Sequence, residues 1–223
     1  QELEVFANHG VFPEENILGQ KFLVSADLYT STRKAGRTDD LTASVHYGEV
    51  SALIDSYLKE HTFKLLESAA EHLAEEILIK YPTVRKIRLE IKKPWAPVRL
   101  PLKTVSVEIT GARHTAYIAI GSNMGDRENY LNGAVKALGE IPGCTVRQVS
   151  SFIETPPYGV TDQADFLNGC LELETLLDPC ELLEQLHRIE HEAGRERIVR
   201  WGPRTLDLDI IFYDDLVMEE KEL

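Results

Sequence analysis

Two aspartates two residues apart, Asp207 and Asp209, stand in the run RWGPRTLDLDIIFYDD from Arg200 to Asp215. The rest of that run, Leu206, Leu208, Ile210, Ile211, Phe212 and Tyr213, favours strands and reads as a buried β-strand. Residues two apart on a strand share a face, so the carboxylates project side by side, about 6–7 Å apart. Ionised, they repel unless a cation joins them, and a hard ion such as Mg²⁺ is held by one or two carboxylates plus substrate phosphates. Arg195, Arg197, Arg200 and Arg204 crowd the same stretch, and guanidinium groups grip phosphate oxygens two at a time. Together these are the parts of Mg-assisted phosphoryl transfer, which works by positioning and charge neutralisation. Two plainer readings stand beside it: a solvated D-x-D strand edge, and an arginine loop paired with surface glutamates. GSNMGD at Gly121–Asp126 lacks the GK[ST] of a P-loop and the GxGxxG of a dinucleotide fold, so a nucleotide site here is of another kind.

Other candidates are weaker one by one. Lys93 sits where a strand meets Pro94, beside Trp95 and Pro97, a place where lysine is usually solvated. Tyr47 opens a helix, where packing is the ordinary role. Glu67 lies in a first helical turn, where a carboxylate simply favours the helix dipole.

The elements that must position these residues follow from periodicity. Phe22, Val24, Ala26 and Leu28 alternate with polar or small residues, as do Ile87, Leu89 and Ile91, and Val105, Val107 and Ile109. Such alternation indicates antiparallel sheet with one covered face. Between them, Val50, Leu53, Ile54, Tyr57 and Leu58, then Leu66, Ala69, Ala70, Leu73 and Ile77, have helical spacing, and Tyr81-Pro82 stops the second helix. The order is strand, strand, helix, helix, strand, strand. After GARHT, a strand over AYIAIGSN precedes a helix from about Arg127 with Leu131, Val135 and Leu138 on one face. Strands follow around Val146–Glu154 and Phe166–Glu174. Asp178, Pro179 and Glu181 then have the N-cap, N1 and N3 pattern of a capping box, and Gly194 ends that helix. With the Asp207 strand the second half reads βαββαβ, the ferredoxin-like order.

The 223 residues suit two small domains, and a net charge of −13 argues against nucleic acid or an anionic membrane as partner. Cys144, Cys170 and Cys180 show no CxxC pairing, which fits a reducing, cytoplasmic setting. No signal peptide and no apolar run near ~18 residues is present, so no membrane span is expected. The chain opens at Gln1 without methionine and stops at Leu223 in charged sequence, and a longer parent protein is expected.

YIAIGSNMGDR, SSFIETPPYG, DFLNGCLELET and above all RWGPRTLDLDIIFYDD resemble the 6-hydroxymethyl-7,8-dihydropterin pyrophosphokinase family. The resemblance implies transfer of pyrophosphate from ATP to a pterin hydroxymethyl group, with release of AMP. By position, it implies that Asp207 and Asp209 hold two Mg²⁺ ions bound with ATP, and that Arg195 and Arg204 contact phosphates. Arg197 and Glu190 would lie nearby, with Trp201 on a closing loop. Thr155, Pro156, Tyr158 and Asn168 would line the pterin pocket, with Phe166 stacked on the ring. The family continues past the point where this sequence ends, so the second domain is expected to lack its C-terminal portion; the alternative is a non-catalytic pterin- or nucleotide-binding module.

NHGVFPEENILGQKF, TDDLTASVHYGEV, LLESAAEHLAEEI and IKKPWAPV together resemble dihydroneopterin aldolase. That implies an α+β tunnelling fold, ββααββ, over residues 1–112, ahead of a ferredoxin-like domain over 115–223. It implies a homo-oligomeric ring with sites between subunits, and retro-aldol cleavage of 7,8-dihydroneopterin to glycolaldehyde and 6-hydroxymethyl-7,8-dihydropterin without a cofactor. Glu67 and the Leu66 backbone would grip the pterin, while Lys93 and Tyr47 would move protons, which for a lysine requires a pKa lowered toward working pH. Glu15 would assist from the neighbouring subunit. Val45, His46 and Asp39 would shape the site, His46 being alternatively a satisfied, partly buried histidine.

Overall fold

The computed structural model describes residues 1–157, 162–194 and 203–217. The chain forms two compact units, Gln1–Arg113 and His114–Leu223.

In the first unit four antiparallel strands lie in sequence order: β1 (Leu3–Ala7), β2 (Gln20–Tyr29), β3 (Lys86–Lys93) and β4 (Val105–Ala112). The connections hold α1 (Pro13–Leu18), α2 (Arg33–Thr38), a 3₁₀ turn (Leu41–Ala43), α3 (Tyr47–Glu60) and α4 (Leu66–Lys80). The two long helices are those the 3.6-residue spacing predicts, and their apolar stripes bury Val50, Ile54 and Leu58, then Ala69, Ala70, Leu73 and Ile77. Alternation in β2 and β3 buries Phe22, Val24, Ile87, Leu89 and Ile91. In β4 the pattern is weaker, because at the sheet edge Val105 stays exposed and Val107 and Ile109 are half-buried.

The short helices are absent from the sequence reading. Six residues are too few for a helical period to show. α1 is instead set by local chemistry: Pro13 at its start, Glu14 and Glu15 in its first turn, and Gly19 at φ +67° where it stops.

In the second unit β5 (His114–Ser122), α5 (Arg127–Glu140), β6 (Thr145–Val149), β7 (Ile153–Thr155), β8 (Phe166–Thr175), α6 (Pro179–Glu192) and β9 (Asp207–Tyr213) follow in turn. The sheet order is β6-β8-β5-β9, all antiparallel, with β7 also on β8. This is the ferredoxin-like arrangement, with the strand expected around Val146–Glu154 divided in two. Ser150 lies in the break, its N–H on Cys170 O and its Oγ accepting from Cys170 N at 3.0 Å. The capping box of α6 is present: Glu181 N donates to Asp178 Oδ1 at 2.8 Å and Asp178 N to Glu181 Oε2 at 2.9 Å. Gly194, at φ +77°, follows the helix end. Ile118, Ile120, Leu131, Leu138, Leu171, Leu186 and Leu208 fill the core.

One expectation needs correction. The Asp207 strand is not buried on both faces; β9 lies at the sheet edge, paired to β5. Leu206, Leu208 and Tyr213 are buried, but Ile211 and Phe212 are exposed, the latter at 64%. A bulge opposite Tyr117 and Ile118 shifts the register there. No helix of the described residues is long and apolar enough to cross a membrane.

Candidate functional sites

β3 decides where Lys93 goes. Ile87, Leu89, Ile91 and Lys93 occupy one face of the strand, so the alternation that builds the core carries the lysine inward with it. Lys93 Nζ lies 2.6 Å from Glu15 Oε1 and donates to His9 O at 3.3 Å; the Lys93 and Glu15 side chains keep only 10% and 9% of their exposure. α1 delivers Glu15 from the same chain, which replaces the expectation of help from a neighbouring subunit. Its carboxylate also accepts from Phe12 N at 3.1 Å and Gln20 Nε2 at 2.9 Å. Burial pushes the Glu15 carboxyl up, but the bonds from Lys93, Phe12 and Gln20 outweigh it and hold the group below the usual carboxylate range.

Gly10 makes room for this carboxylate. A Cβ there would stand 2.2 Å from Glu15 Oε2, and the backbone sits at φ +151°. Gly10→Ala is therefore expected to expel Glu15 from Lys93 and cost about 2–3 kcal/mol, read as a lowered urea midpoint. A shallow groove of about 250 Å³ opens beside the pair, walled by Glu15, Leu18, Gln20, Trp95 and Pro97.

His9 adjoins the pair and is 1% exposed. Burial, then the Lys93 charge, lowers its pKa from 6.5 to about 4. The unfolded chain thus takes up this proton first, between pH 6.5 and 4. Stability from this group is complete above about pH 6.5 and drains away as pH falls toward 4. The charged or titratable groups around the ring are Lys93 from β3, Glu15 beyond it on α1, and His72 of α4 across Phe63. Glu15, held low, stays ionised through most of this window. A loss of about 2–3 kcal/mol between pH 7 and pH 4.5 is expected in urea denaturation, and should disappear in His9→Asn.

The other expected residues of this unit stand apart from the pair. Tyr47 is the first residue of α3, 85% exposed, with its ring 6.0 Å from His46. His46 is exposed rather than partly buried: it is the N-cap of α3, its Nδ1 accepting from Gly48 N at 3.1 Å and Glu49 N at 3.3 Å. Val45 is half-buried, and Asp39 is exposed at the left-handed end of α2. Leu66 and Glu67 form the first turn of α4, with Glu67 exposed.

In the second unit the strands meet at Gly121. Its register partners are Asp207 on β9 and Asn168 on β8, so these lie two strand spacings apart, about 10 Å. A Cβ on Gly121 would come 2.6 Å from Asn168 Oδ1. Asn168 Nδ2 donates to Thr155 Oγ1 at 2.7 Å, and Thr155 pairs in register with Phe166, which is half-buried. The sheet thus gathers Thr155, Phe166 and Asn168 beside the aspartates, while Pro156 is exposed just beyond β7.

Around Asp207 the local fold is tightly tied. Buried Asn123 accepts from Arg204 N at 2.7 Å through Oδ1, and its Nδ2 donates to Gln163 Oε1 at 3.0 Å and Ala164 O at 3.1 Å. The Arg204 guanidinium pairs with the Asp207 carboxylate. Glu190, expected near phosphates, is turned inward: it is buried, and Oε1 accepts from Leu208 N at 2.8 Å, anchoring β9 between its two aspartates. Asp207 and Asp209 share the face opposite buried Leu208, Asp207 half-buried and Asp209 exposed. Among the described residues no group of three His, Cys, Asp or Glu side chains is placed to hold a metal. Two hard carboxylates on an open strand edge fit a cation whose remaining ligands come from a bound phosphate. Tyr158, Arg195, Arg197 and Trp201 lie outside the described residues.

Sequence reasoning passed over Gly10, Gln20, Asn123 and His9. The dipeptide HG and the tripeptide GSN were visible, but their roles depend on contacts distant along the chain.

One unit carries a buried lysine–carboxylate pair and the other a carboxylate pair beside arginine, the layout of a two-site enzyme. Comparison with known families agrees. The family model for FolB, dihydroneopterin aldolase, matches residues 1–110, and that for HPPK, 7,8-dihydro-6-hydroxymethylpterin-pyrophosphokinase, matches residues 117–223. The 2-amino-4-hydroxy-6-hydroxymethyldihydropteridine pyrophosphokinase of Bacillus subtilis is 54% identical over 108 residues, 48% of this chain and 65% of that protein. The enzyme of that name from Haemophilus influenzae is 43% identical over 109 residues, 49% of this chain and 68% of its own length. Folic acid synthesis protein fol1 of Pneumocystis carinii is 28% identical over 241 residues, spanning all of this chain but 32% of that protein. The chain accordingly belongs to the hydroxymethyldihydropterin pyrophosphokinase family through its second domain, and its first domain matches the dihydroneopterin aldolase model. It spans about two thirds of the Bacillus relative and about a third of the fungal one.

Proposed function

We propose that the chain is a bifunctional enzyme of folate biosynthesis: it cleaves 7,8-dihydroneopterin to glycolaldehyde and 6-hydroxymethyl-7,8-dihydropterin, then transfers pyrophosphate from ATP to the new hydroxymethyl group. The observation that carries this reading is the Lys93–Glu15 pair, a buried proton-transfer unit in a domain of aldolase kinship. The proton of the side-chain hydroxyl next to the breaking bond leaves to a base, glycolaldehyde departs, and the electron pair passes into the pterin as an enol. Lys93 then returns a proton to the enol carbon. Glu15 holds the ammonium within 2.6 Å and compensates its charge as the proton moves. Glu67 and the Leu66 backbone hold the pterin edge at the start of α4. Tyr47, exposed and out of contact with Lys93 among the described residues, is assigned to a site on a neighbouring copy, so the active form is a homo-oligomer.

In the second domain Thr155, Pro156, Phe166 and Asn168 hold the pterin with Tyr158, while Arg204, with Arg195, Arg197 and Trp201, engages phosphates. Asp207 and Asp209 would hold Mg²⁺, which supplies charge neutralisation at the ATP phosphates. Glu190 keeps the aspartate strand in place. Cys144, Cys170 and Cys180, with no CxxC spacing among them, support a reducing, cytoplasmic setting.

The test is a single assay with dihydroneopterin, ATP and Mg²⁺, following glycolaldehyde and AMP separately. Both products support the proposal. Glycolaldehyde without AMP would leave an aldolase bearing a pterin- or nucleotide-binding module, and absence of glycolaldehyde would remove the aldolase assignment.

A further inference from the structure

His9 follows β1 and is enclosed, 1% exposed, yet its Nε2 is buried without a hydrogen-bond partner among the described residues. Burying a polar atom unpaired is unfavourable, and an apolar ring would avoid that penalty. The rest of the residue supplies the compensating role. Nδ1 accepts from Phe63 N at 3.2 Å, which places the proton of the neutral ring on Nε2. The next residue, Gly10, donates its own N–H to Phe63 O at 2.9 Å. Phe63 is thus bound through both backbone groups, three residues before α4 begins at Leu66. In the other direction His9 O accepts from Lys93 Nζ, and Gly10 cradles Glu15. The imidazole is wedged edge-on against Phe22, 5.1 Å between centroids, and tilted on Phe63 at 5.7 Å.

We propose that His9 is a positioning residue of the first domain: its ring nitrogen and its carbonyl together set the start of α4, with Glu67, relative to Lys93 and Glu15. The inference rests on the aldolase reading above. A protonated ring would present N–H to the Phe63 N–H and break the link, so the position calls for an imidazole that stays neutral; its lowered pKa agrees.

Two variants of the full chain separate the acceptor from the ring. His9→Phe keeps aromatic volume without an acceptor, and His9→Asn places an amide oxygen near the Nδ1 position. Per folded protein, His9→Phe is expected to lower kcat for glycolaldehyde release by about 10- to 100-fold and to raise KM for dihydroneopterin. His9→Asn should recover kcat to within about threefold of the parent, even with a lower Tm. Equal kcat and KM in parent and His9→Phe would overturn the proposal, as would equal losses in both variants. Should His9→Phe not fold, ¹⁵N–¹H correlation spectra of the unmutated protein decide: protonation at Nε2 is expected, and an Nδ1–H tautomer or a titration near 6.5 refutes it. A parent chain that releases no glycolaldehyde would instead remove the aldolase reading itself.

Discussion

Lys93→Ala is expected to lower glycolaldehyde release by about 10²- to 10⁴-fold while AMP release from supplied 6-hydroxymethyl-7,8-dihydropterin continues. On the proposed mechanism the size follows from the removal of the group assigned to return the proton, and the selectivity from the assignment of the two reactions to different domains. The same substitution disturbs stability, since Glu15 would remain a nearly buried carboxylate without its counter-charge. Breaking a buried pair on one side costs about 3–5 kcal/mol, here nearer the lower end because Phe12 N and Gln20 still donate to Glu15. A companion variant separates folding from chemistry. Lys93→Ala combined with Glu15→Gln removes both charges, and Gln20 can turn its amide over to meet the new one. The double variant should regain most of the lost Tm and none of the lost turnover. If turnover returned along with Tm, the lysine would be a structural ion-pair partner and the proton-transfer role would be lost.

The contrast between Lys93 and His9 shows which parts of the site can be read along the chain. Lys93 continues the Ile87, Leu89, Ile91 alternation, so its inward direction was written in the pattern, although a lysine before proline suggests solvent. Glu15 and Glu14 are indistinguishable by type, and only the turn of α1 seats Glu15 against Lys93. His9 has no local signal. Its partners Phe63 and Lys93 are 54 and 84 residues away, and neither periodicity nor capping chemistry reports contacts at that range. The long helices of both units and the Asp178 capping box were legible because they depend on neighbours within four residues. The edge position of β9 was legible through its aspartates but not through its apolar run, which looks the same whether one or two strands flank it. That is why Ile211 and Phe212 face outward despite their composition.

Asp207→Asn with Asp209→Asn is expected to lower AMP release by more than about 10³-fold and leave glycolaldehyde release within about twofold of the parent. Asparagine keeps the shape and the strand register, so β9 should stay paired with β5 and anchored through Leu208 N to Glu190. What changes is charge: two oxygen donors with net negative charge become neutral amides, and a divalent cation has no carboxylate left to bind. The Arg204 guanidinium also loses its ionic partner, but Asp207 and Arg204 both reach solvent, which limits the structural cost. Calorimetry supplies the second readout. ATP should bind the parent more tightly with Mg²⁺ than without it, and the double variant should lose that difference. Retained Mg²⁺ dependence with lost turnover would move the ion elsewhere and make the aspartates partners of the arginines alone. Retained turnover would return Asp207 and Asp209 to the plainer reading, a solvated D-x-D at the edge of a sheet.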